Sequence, residues 1–437
     1  MRNLHLSRFL RTRQKGDRVA LFHALHPEPV YLSTSCWKEA ENNLDLLAET
    51  VTADLTAKGL LVRPGEDEKV LTETKQLISE KHDRPIILYL MLAQHCTRAC
   101  VYCPIPELER QFGQQLLSEE DALAAVGLWE RHIATLPKVP EHYLIFYGGE
   151  PLLNRSLIPR VIAHVRDRQA EGALPETVRF LVPTNGDLVD TEFARFCSEH
   201  DITVAVGLDG RLPEEDSYRV GRKGENLHDQ TVRAIELLRA TGTTTHASVS
   251  ITPKNVEMLS EISRFLTRLG VERFGFNLMK SSWLKEQFPG EALEPFYRKA
   301  ARAILRNARE NSDGATEYQW EKKFDAFQGQ FFPVDCTCYG NQIVVQPNGT
   351  LSNCPFRHAN LGHVRQVQTE FRIANATVVQ NLRTRLLPHP DDPSWASALY
   401  GGGCAWGTND LLHDEGALDL GAMILAEEAL DEFLWRD

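Results

Sequence analysis

Three cysteines crowd into the stretch "QHCTRACVYCP": Cys96, Cys100 and Cys103 fall within eight positions. Thiolates are soft ligands, suited to zinc or to iron–sulfur clusters. Three of them are one short of a closed tetrahedral site and one too many for a disulfide. Two completions fit the residues. One is a zinc ion that takes the adjacent His95 as its fourth ligand. The other is a [4Fe–4S] cube whose fourth iron stays open to an outside ligand. A second cysteine group comes late, at Cys336, Cys338, Cys354 and Cys404, while Cys36 and Cys197 stand alone on helical patterns and read as buried apolar packing. Such clustering among nine cysteines points to metal sites rather than to a disulfide framework. His23, His26, His246 and His358 form no ligand spacing.

The elements that must position these residues are legible in the hydrophobic pattern. From residue 85 onward, strand-like runs at 86–92, 143–148, 178–184, 202–208, 245–251 and 273–279 alternate with helical stretches. The helix predicted over 118–136 opens with a Ser-x-x-Asp capping signal. Strands each followed by a helix predict a parallel α/β array, either an open doubly wound sheet or all or part of a (β/α) barrel. In either fold the chemistry belongs at the C-terminal ends of the strands. The cysteine trio follows the first strand, "GGEP" the second and "TNG" the third, and "LDG" closes the fourth. Before this array, "RVALFHALHPEPVYLS" (18–33) reads as two short strands around a Pro-containing turn. An amphipathic helix over 36–59 stops at Gly59, and "LLVRPGEDE" gives a further strand and turn. These elements suggest a winged-helix-like domain over 1–75, with "GEDEKVLTETKQLISEKHD" as the route onward. Near the other end, "CTCYGNQIVVQPNGTLSNCPF" (336–356) reads as a hairpin around an Asn-Gly turn that returns to Cys354.

Composition narrows the function. With 48 basic against 60 acidic residues and a formal net charge of −12, nucleic acid is not expected as the partner. The basic N-terminus has no apolar segment behind it, so no signal peptide is expected. The longest apolar run, "IILYLMLA" (86–93), is too short to span a bilayer. These features lead to the expectation of a soluble, cytoplasmic protein without a membrane partner.

The C-x3-C-x2-C spacing, with Tyr102 before the third cysteine and a loop position after the first strand, resembles the radical SAM superfamily. The resemblance covers about 85–410 and implies that the open iron is chelated by the amino and carboxylate groups of S-adenosylmethionine. "YGGEP" (147–151) looks like the family's motif for the methionyl amine. There Gly148 and Gly149 let backbone approach the ligand, and Glu150 supplies the carboxylate acceptor. "VPTNGDL" and "GLDG" match the third and fourth strand ends of peptide-modifying members. By resemblance Asn185 and Asp209 face the cofactor region and Arg219 pairs with the SAM carboxylate. A Ser commonly precedes the Leu-Asp-Gly in the family; here it is Gly207.

Cys338, Gly349 and Cys354 follow the opening of the SPASM and twitch extensions, and "GGGCAW" brings in Cys404. Four late cysteines allow one auxiliary cluster, so a twitch/SPASM-like domain is expected, with Cys336 as the fourth ligand; spacing alone leaves a four-cysteine zinc site open. The expected fold is therefore α/β. It comprises a partial (β/α)6 TIM-like barrel over 84–315, an N-terminal winged-helix-like leader-recognition domain, and a C-terminal twitch/SPASM-like iron–sulfur domain over 316–437. The implied chemistry is reductive cleavage of SAM to a 5′-deoxyadenosyl radical that removes a hydrogen atom from a ribosomally made precursor peptide and leaves an intramolecular C–C or C–heteroatom cross-link. The implied cofactors are a SAM-binding [4Fe–4S] cluster, SAM and one auxiliary iron–sulfur cluster, with a flavodoxin- or ferredoxin-type reductant. The alternative implied activity is formylglycine formation of the anaerobic sulfatase-maturating type. No residue is named as a catalytic acid or base.

Overall fold

Short strands near the N-terminus build an antiparallel meander whose central strand is apolar on both faces, with Val19, Ala20, Leu21 and Phe22 all buried. The computed structural model describes residues 3–82, 86–135, 140–279, 281–311, 314–319, 336–356, 359–383, 404 and 419–435. Strand β1 (His5–Leu6) is followed by β2 (Leu10–Lys15), β3 (Arg18–His23) and β4 (His26–Ser33). The last three form one sheet in the order β2-β3-β4. Val19, Leu21, Val30 and Leu32 share one face, as the two-residue period requires, and pack with Trp37, Ala40, Leu55 and Leu61 into a core.

The helix expected over 36–59 is instead two: α1 (Thr34–Asn42) and α2 (Glu49–Ala57), separated by a 3-10 turn at Leu44–Leu46. The cause is local. Asn43 leaves the helical region, and its side chain accepts from the Asp45 N–H, which is the competition with helix that Asn offers. Then β5 (Leu61–Val62) pairs antiparallel with β1. The stretch read as a connecting route is a helix, α3 (Glu66–His82).

Six βα units follow. Strands β6 (Ile87–Ala93), β7 (His142–Gly148), β8 (Val178–Thr184), β9 (Ile202–Gly207), β10 (Thr245–Ile251) and β11 (Arg273–Leu278) lie side by side in sequence order. Every neighbouring pair among them is parallel. Between them run α4 (Ile105–Phe112) and α5 (Glu119–Ile133), then α6 (Leu157–Ala170), α7 (Thr191–Glu199), α8 (His228–Ala240) and α9 (Leu259–Arg268), with α10 (Ser281–Gln287) and α11 (Leu293–Glu310) after β11. The α5 start is where the capping signal put it: Ser118 accepts from the Asp121 N–H. Leu88, Leu90, Leu144, Phe146, Phe180 and Val182 are buried with Trp129, Val126, Ile158 and Val161 of the covering helices. Each such side chain contributes about 2 kcal/mol on burial.

The sheet extends beyond the six strands. β12 (Thr316–Glu317) adds in parallel to β11, and β13 (Gln342–Val345) adds in parallel to β6 on the other side, with β14 (Leu351–Ser352) antiparallel beyond it. The result is a nine-stranded mixed α/β sheet in the order β12-β11-β10-β9-β8-β7-β6-β13-β14. Among the described residues two helices follow, α12 (Thr377–Arg383) and α13 (Leu420–Leu434). The chain forms two compact units, 82–319 with 337–382 and 1–81 with 320–336 and 383–437. The segment 316–437, expected as one domain, is therefore divided between them. Within the second unit α13 lies on the β2-β3-β4 face opposite the core: Arg13 pairs with Asp431 at 3.3 Å, and the Tyr31 hydroxyl donates to the Leu434 carbonyl. Among the described residues no helix is long and apolar enough to cross a membrane.

One buried histidine ties α5 to the C-terminal part of the barrel unit. His132 bonds the Leu128 carbonyl through Nδ1 at 2.9 Å, and its Nε2 accepts from the Ile373 N–H at 3.4 Å. Burial pushes it down from 6.5 to about 4. The unfolded chain therefore takes up this proton first, so stability is present above pH 6.5 and is lost as pH falls toward 4. Between pH 7 and pH 5 this residue alone should cost about 2 kcal/mol. Denaturant melts of His132→Gln should show a correspondingly smaller loss over that interval than the native chain; equal losses would remove His132 as the cause.

Candidate functional site

The C-terminal ends of β6, β7, β8 and β9 bring the motif loops together. The loop after β7 fits directly beneath the loop after β6: the Gly149 N–H donates to the Ala93 carbonyl at 2.8 Å, and the Glu150 N–H to the His95 carbonyl at 3.0 Å. This approach needs both glycines. A Cβ at Gly148, where φ is +141°, would stand 2.5 Å from the Ala93 oxygen, and one at Gly149 would stand 2.2 Å from the His95 oxygen. No side chain fits at those distances.

Glu150 is fully buried. Its Oε1 accepts from the Leu152 N–H (3.1 Å) and the Thr184 hydroxyl (2.9 Å), and its Oε2 from the Asn185 N–H (2.9 Å). Burial pushes its carboxyl up to about 7, against the pull of these three bonds. All three donors are neutral, so among the described residues no cation compensates the charge that Glu150 carries when ionised. That chemistry fits an ammonium ligand.

Cys96, Cys100 and Cys103 are partly buried free thiols. Burial pushes Cys96 up to about 11 and Cys103 to about 12, and raises Cys100 as well. Such thiols keep their protons until a metal displaces them. The donor set and the Glu150 cradle thus fit a SAM-binding cluster, with Cys96, Cys100 and Cys103 to hold it.

The remaining expected residues gather at the same end. Asn185 Nδ2 donates to Cys96 Sγ at 3.4 Å and to Thr97 Oγ1 at 2.8 Å. Tyr102 donates its hydroxyl to Asp209, whose other oxygen accepts from the Ser250 N–H at 2.8 Å. Arg219 Nε lies 3.1 Å from that same Asp209 oxygen, and its guanidinium is 5.9 Å from the centre of the Tyr102 ring. Burial raises the Asp209 carboxyl while Arg219 opposes the shift. Gly207 now has a reason: a Cβ there would stand 2.3 Å from the Arg219 guanidinium. The family's more usual serine would displace this arginine.

Several participants gave no signal in the sequence. Arg98, between the first two cysteines, is enclosed and bonds Asp187 and Thr231. Thr97 donates to the other Asp187 oxygen at 2.7 Å. Arg222 donates through Nε to the Cys96 carbonyl at 2.7 Å. Each is an ordinary polar residue in a loop, and only the chain's return path reveals its partner.

The late cysteines are placed in two pairs. Cys338 and Cys354 are buried in the barrel unit beside the β13–β14 hairpin. Gln342 Nε2 donates to Cys338 Sγ at 3.4 Å, and the Ser352 hydroxyl donates to the Cys354 carbonyl at 3.2 Å. Cys336 and Cys404 belong to the other unit, where the Cys404 N–H donates to Asp419 at 2.9 Å. Gly401, Gly402 and Gly403 lie outside the described residues. Cys197 is buried as expected, whereas Cys36 is only half-buried because it sits in the first turn of α1.

Comparison with known proteins agrees with this geometry. The family model described as the radical SAM superfamily matches residues 90–266. The chain is 23% identical over 270 residues to the radical SAM cyclopropyl synthase TigE of Paramaledivibacter caminithermalis, covering 54% of this chain and 55% of that protein. Across the first four curated relatives it matches, it spans 46% to 66% of their length. Among solved structures, anSMEcpe with bound AdoMet and Cp18Cys peptide aligns with a TM-score of 0.64 at 17% identity, over 80% of this chain and 96% of that one. SuiB of Streptococcus suis bound to S-adenosylmethionine aligns with a TM-score of 0.52 at 12% identity, over 95% of this chain and 97% of that one. These likenesses establish the shared fold. With the trio, the Gly-Gly-Glu loop and the parallel partial barrel in the arrangement described, residues 90–266 are a radical SAM domain.

Proposed function

We propose that the chain is a SAM-dependent maturase of a ribosomally synthesised peptide, and that it installs an intramolecular cross-link. The observation that carries this reading is the fit of the Glu150 loop beneath the cysteine loop. It sets the buried Glu150 carboxyl next to the loop that bears the cysteines, close enough for its charge to act on Cys96. When bound, the cluster supplies the electron that splits SAM into methionine and a 5′-deoxyadenosyl radical.

The chain's own residues then have distinct tasks. Cys96, Cys100 and Cys103 hold the cluster, Glu150 accepts the methionyl ammonium, and Asn185, Asp209 and Arg219 orient the rest of SAM. The barrel strands hold the target carbon near and exclude water. Forming a cross-link removes two hydrogens. One leaves as an atom to the radical, and the other as a proton plus an electron. Cys338 and Cys354 would serve as ligands of an auxiliary iron–sulfur cluster, which would supply an acceptor for that electron, and a flavodoxin- or ferredoxin-type protein is the proposed reductant. The leader segment of the peptide binds as an added strand on the β2-β3-β4 sheet, whose outer strands each pair only with β3 among the described residues. The bond-forming chemistry named for TigE and the peptide bound in the anSMEcpe structure support the reading.

The decisive experiment is anaerobic co-expression with each short reading frame of roughly 30–80 codons found beside the gene. A peptide that loses two hydrogens and resists fragmentation between two residues is expected. A product captured by hydrazine would signal an aldehyde and move the protein to formylglycine chemistry, and unmodified peptides throughout would overturn the peptide reading. Anaerobically reconstituted protein should hold about eight irons, from two four-iron clusters. Cys354→Ala should lower that to about four while dithionite-driven SAM cleavage continues; a native chain with about four irons would remove the auxiliary cluster. Glu150→Gln keeps the shape but not the charge. Its KM for SAM should rise by about tenfold or more, and an unchanged KM would reject Glu150 as the ammonium acceptor.

A further inference from the structure

Arg98 presents a physical puzzle. Its side chain has no solvent exposure, and its partner Asp187 has only 9%. Burying an ion pair costs several kcal/mol per ion in desolvation, and apolar replacements of similar volume are often as stable. One donor, Nη1, is buried without a hydrogen-bond partner among the described residues, which adds to the cost. Fold stability alone does not account for the pair.

Its connections suggest what does. Arg98 reaches Asp187 Oδ1 with Nε (3.0 Å) and Nη2 (2.5 Å), and Nη2 also donates to Thr231 Oγ1 on α8 (2.8 Å). Thr97 donates to Asp187 Oδ2. Asp187 in turn donates its N–H to Asn185 Oδ1 at 2.9 Å, and Asn185 Nδ2 bonds both Thr97 and Cys96. The Arg98 N–H itself donates to Cys96 Sγ at 3.4 Å. On the other side, the Ala99 and Val101 N–H groups bond the Val220 and Tyr218 carbonyls. The segment between the first two cysteines is thus bolted to the loop after β8, which also supplies the Asn185 N–H to Glu150.

We propose that Arg98 and Asp187 are a positioning pair, which fixes the Cys96 and Cys100 sulfurs against the same loop that orients Glu150. The cysteine loop and the ammonium acceptor are then referenced to one rigid element, so the cluster's open iron and the SAM amine site stay in register. The pair therefore acts on both halves of the SAM site without touching SAM.

The test uses the full chain, reconstituted anaerobically, with SAM alone as the probe and no peptide. An Arg98→Leu/Asp187→Leu double variant removes both charges together, so neither is left unpaired. Arg98→Lys keeps the charge but loses the two-pronged grip. Iron content near that of the native chain is expected in both. The KM for SAM should rise about tenfold, the factor for one lost charge-assisted interaction, with a smaller change in kcat for SAM cleavage. The change that SAM produces in the EPR spectrum of the reduced cluster should be weakened or broadened. Native KM and a native SAM-induced EPR change in Arg98→Lys would overturn the proposal, whether or not the double variant folds. Losses of signal and activity that merely follow lost iron would also overturn it, because the pair would then be structural only.

Discussion

The structure turns on how closely two stretches of backbone meet. Two hydrogen bonds join the loop after β7 to Ala93 and His95, and they form only because positions 148 and 149 carry no side chain. That contact fixes where Glu150 stands, and Glu150 fixes the loop after β8 through the Thr184 hydroxyl and the Asn185 N–H. A carboxyl with no cation beside it among the described residues is therefore built into the centre of three loops. Its charge is a standing cost to the free protein, met by hydrogen bonds from neutral donors and relieved by a positively charged ligand.

The parallel sheet makes this arrangement possible. Because β6 to β9 run in the same direction and in sequence order, the loops that follow them emerge at one end. Along β7 the alternation puts Leu144 and Phe146 on one face of the sheet and Ile145 and Tyr147 on the other. Each loop then needs only short contacts to find its neighbour. The Tyr102–Asp209–Arg219 group is the same device on the β9 side, where a missing Cβ at Gly207 makes room for a buried guanidinium. Glycine thus serves both flanks of the site for one reason: it lets something large or charged come close.

Much of this was legible in the sequence, and the limits have physical causes. The six βα units were readable because apolar runs of strand length alternate with amphipathic segments, and the Ser118 cap marked its helix to the residue. The trio and the Gly-Gly-Glu loop were readable because their chemistry is carried by residues adjacent in the chain. Arg98, Asp187, Thr97 and Arg222 were not. An arginine in a polar loop carries no local sign that it will be enclosed, and its partner sits on a different strand end. The break at Asn43 was missed because the apolar period continues across it, while a single side chain capping its own backbone ends the helix. The division of the late segment was hidden as well. The hairpin reads as an independent unit, yet β13 finds an open edge on β6.

That last pairing has a consequence for how the protein is made. β6 carries the cysteine loop at its end, and the strand that covers its outer edge is synthesised only after most of the chain has left the ribosome. Until then the edge offers unsatisfied N–H and C=O groups, the feature that draws non-native strands during folding. Contacts so distant in sequence also form slowly. Slow translation of the C-terminal third would therefore prolong the interval in which the loop after β6 and its nascent thiols stand open to oxidation.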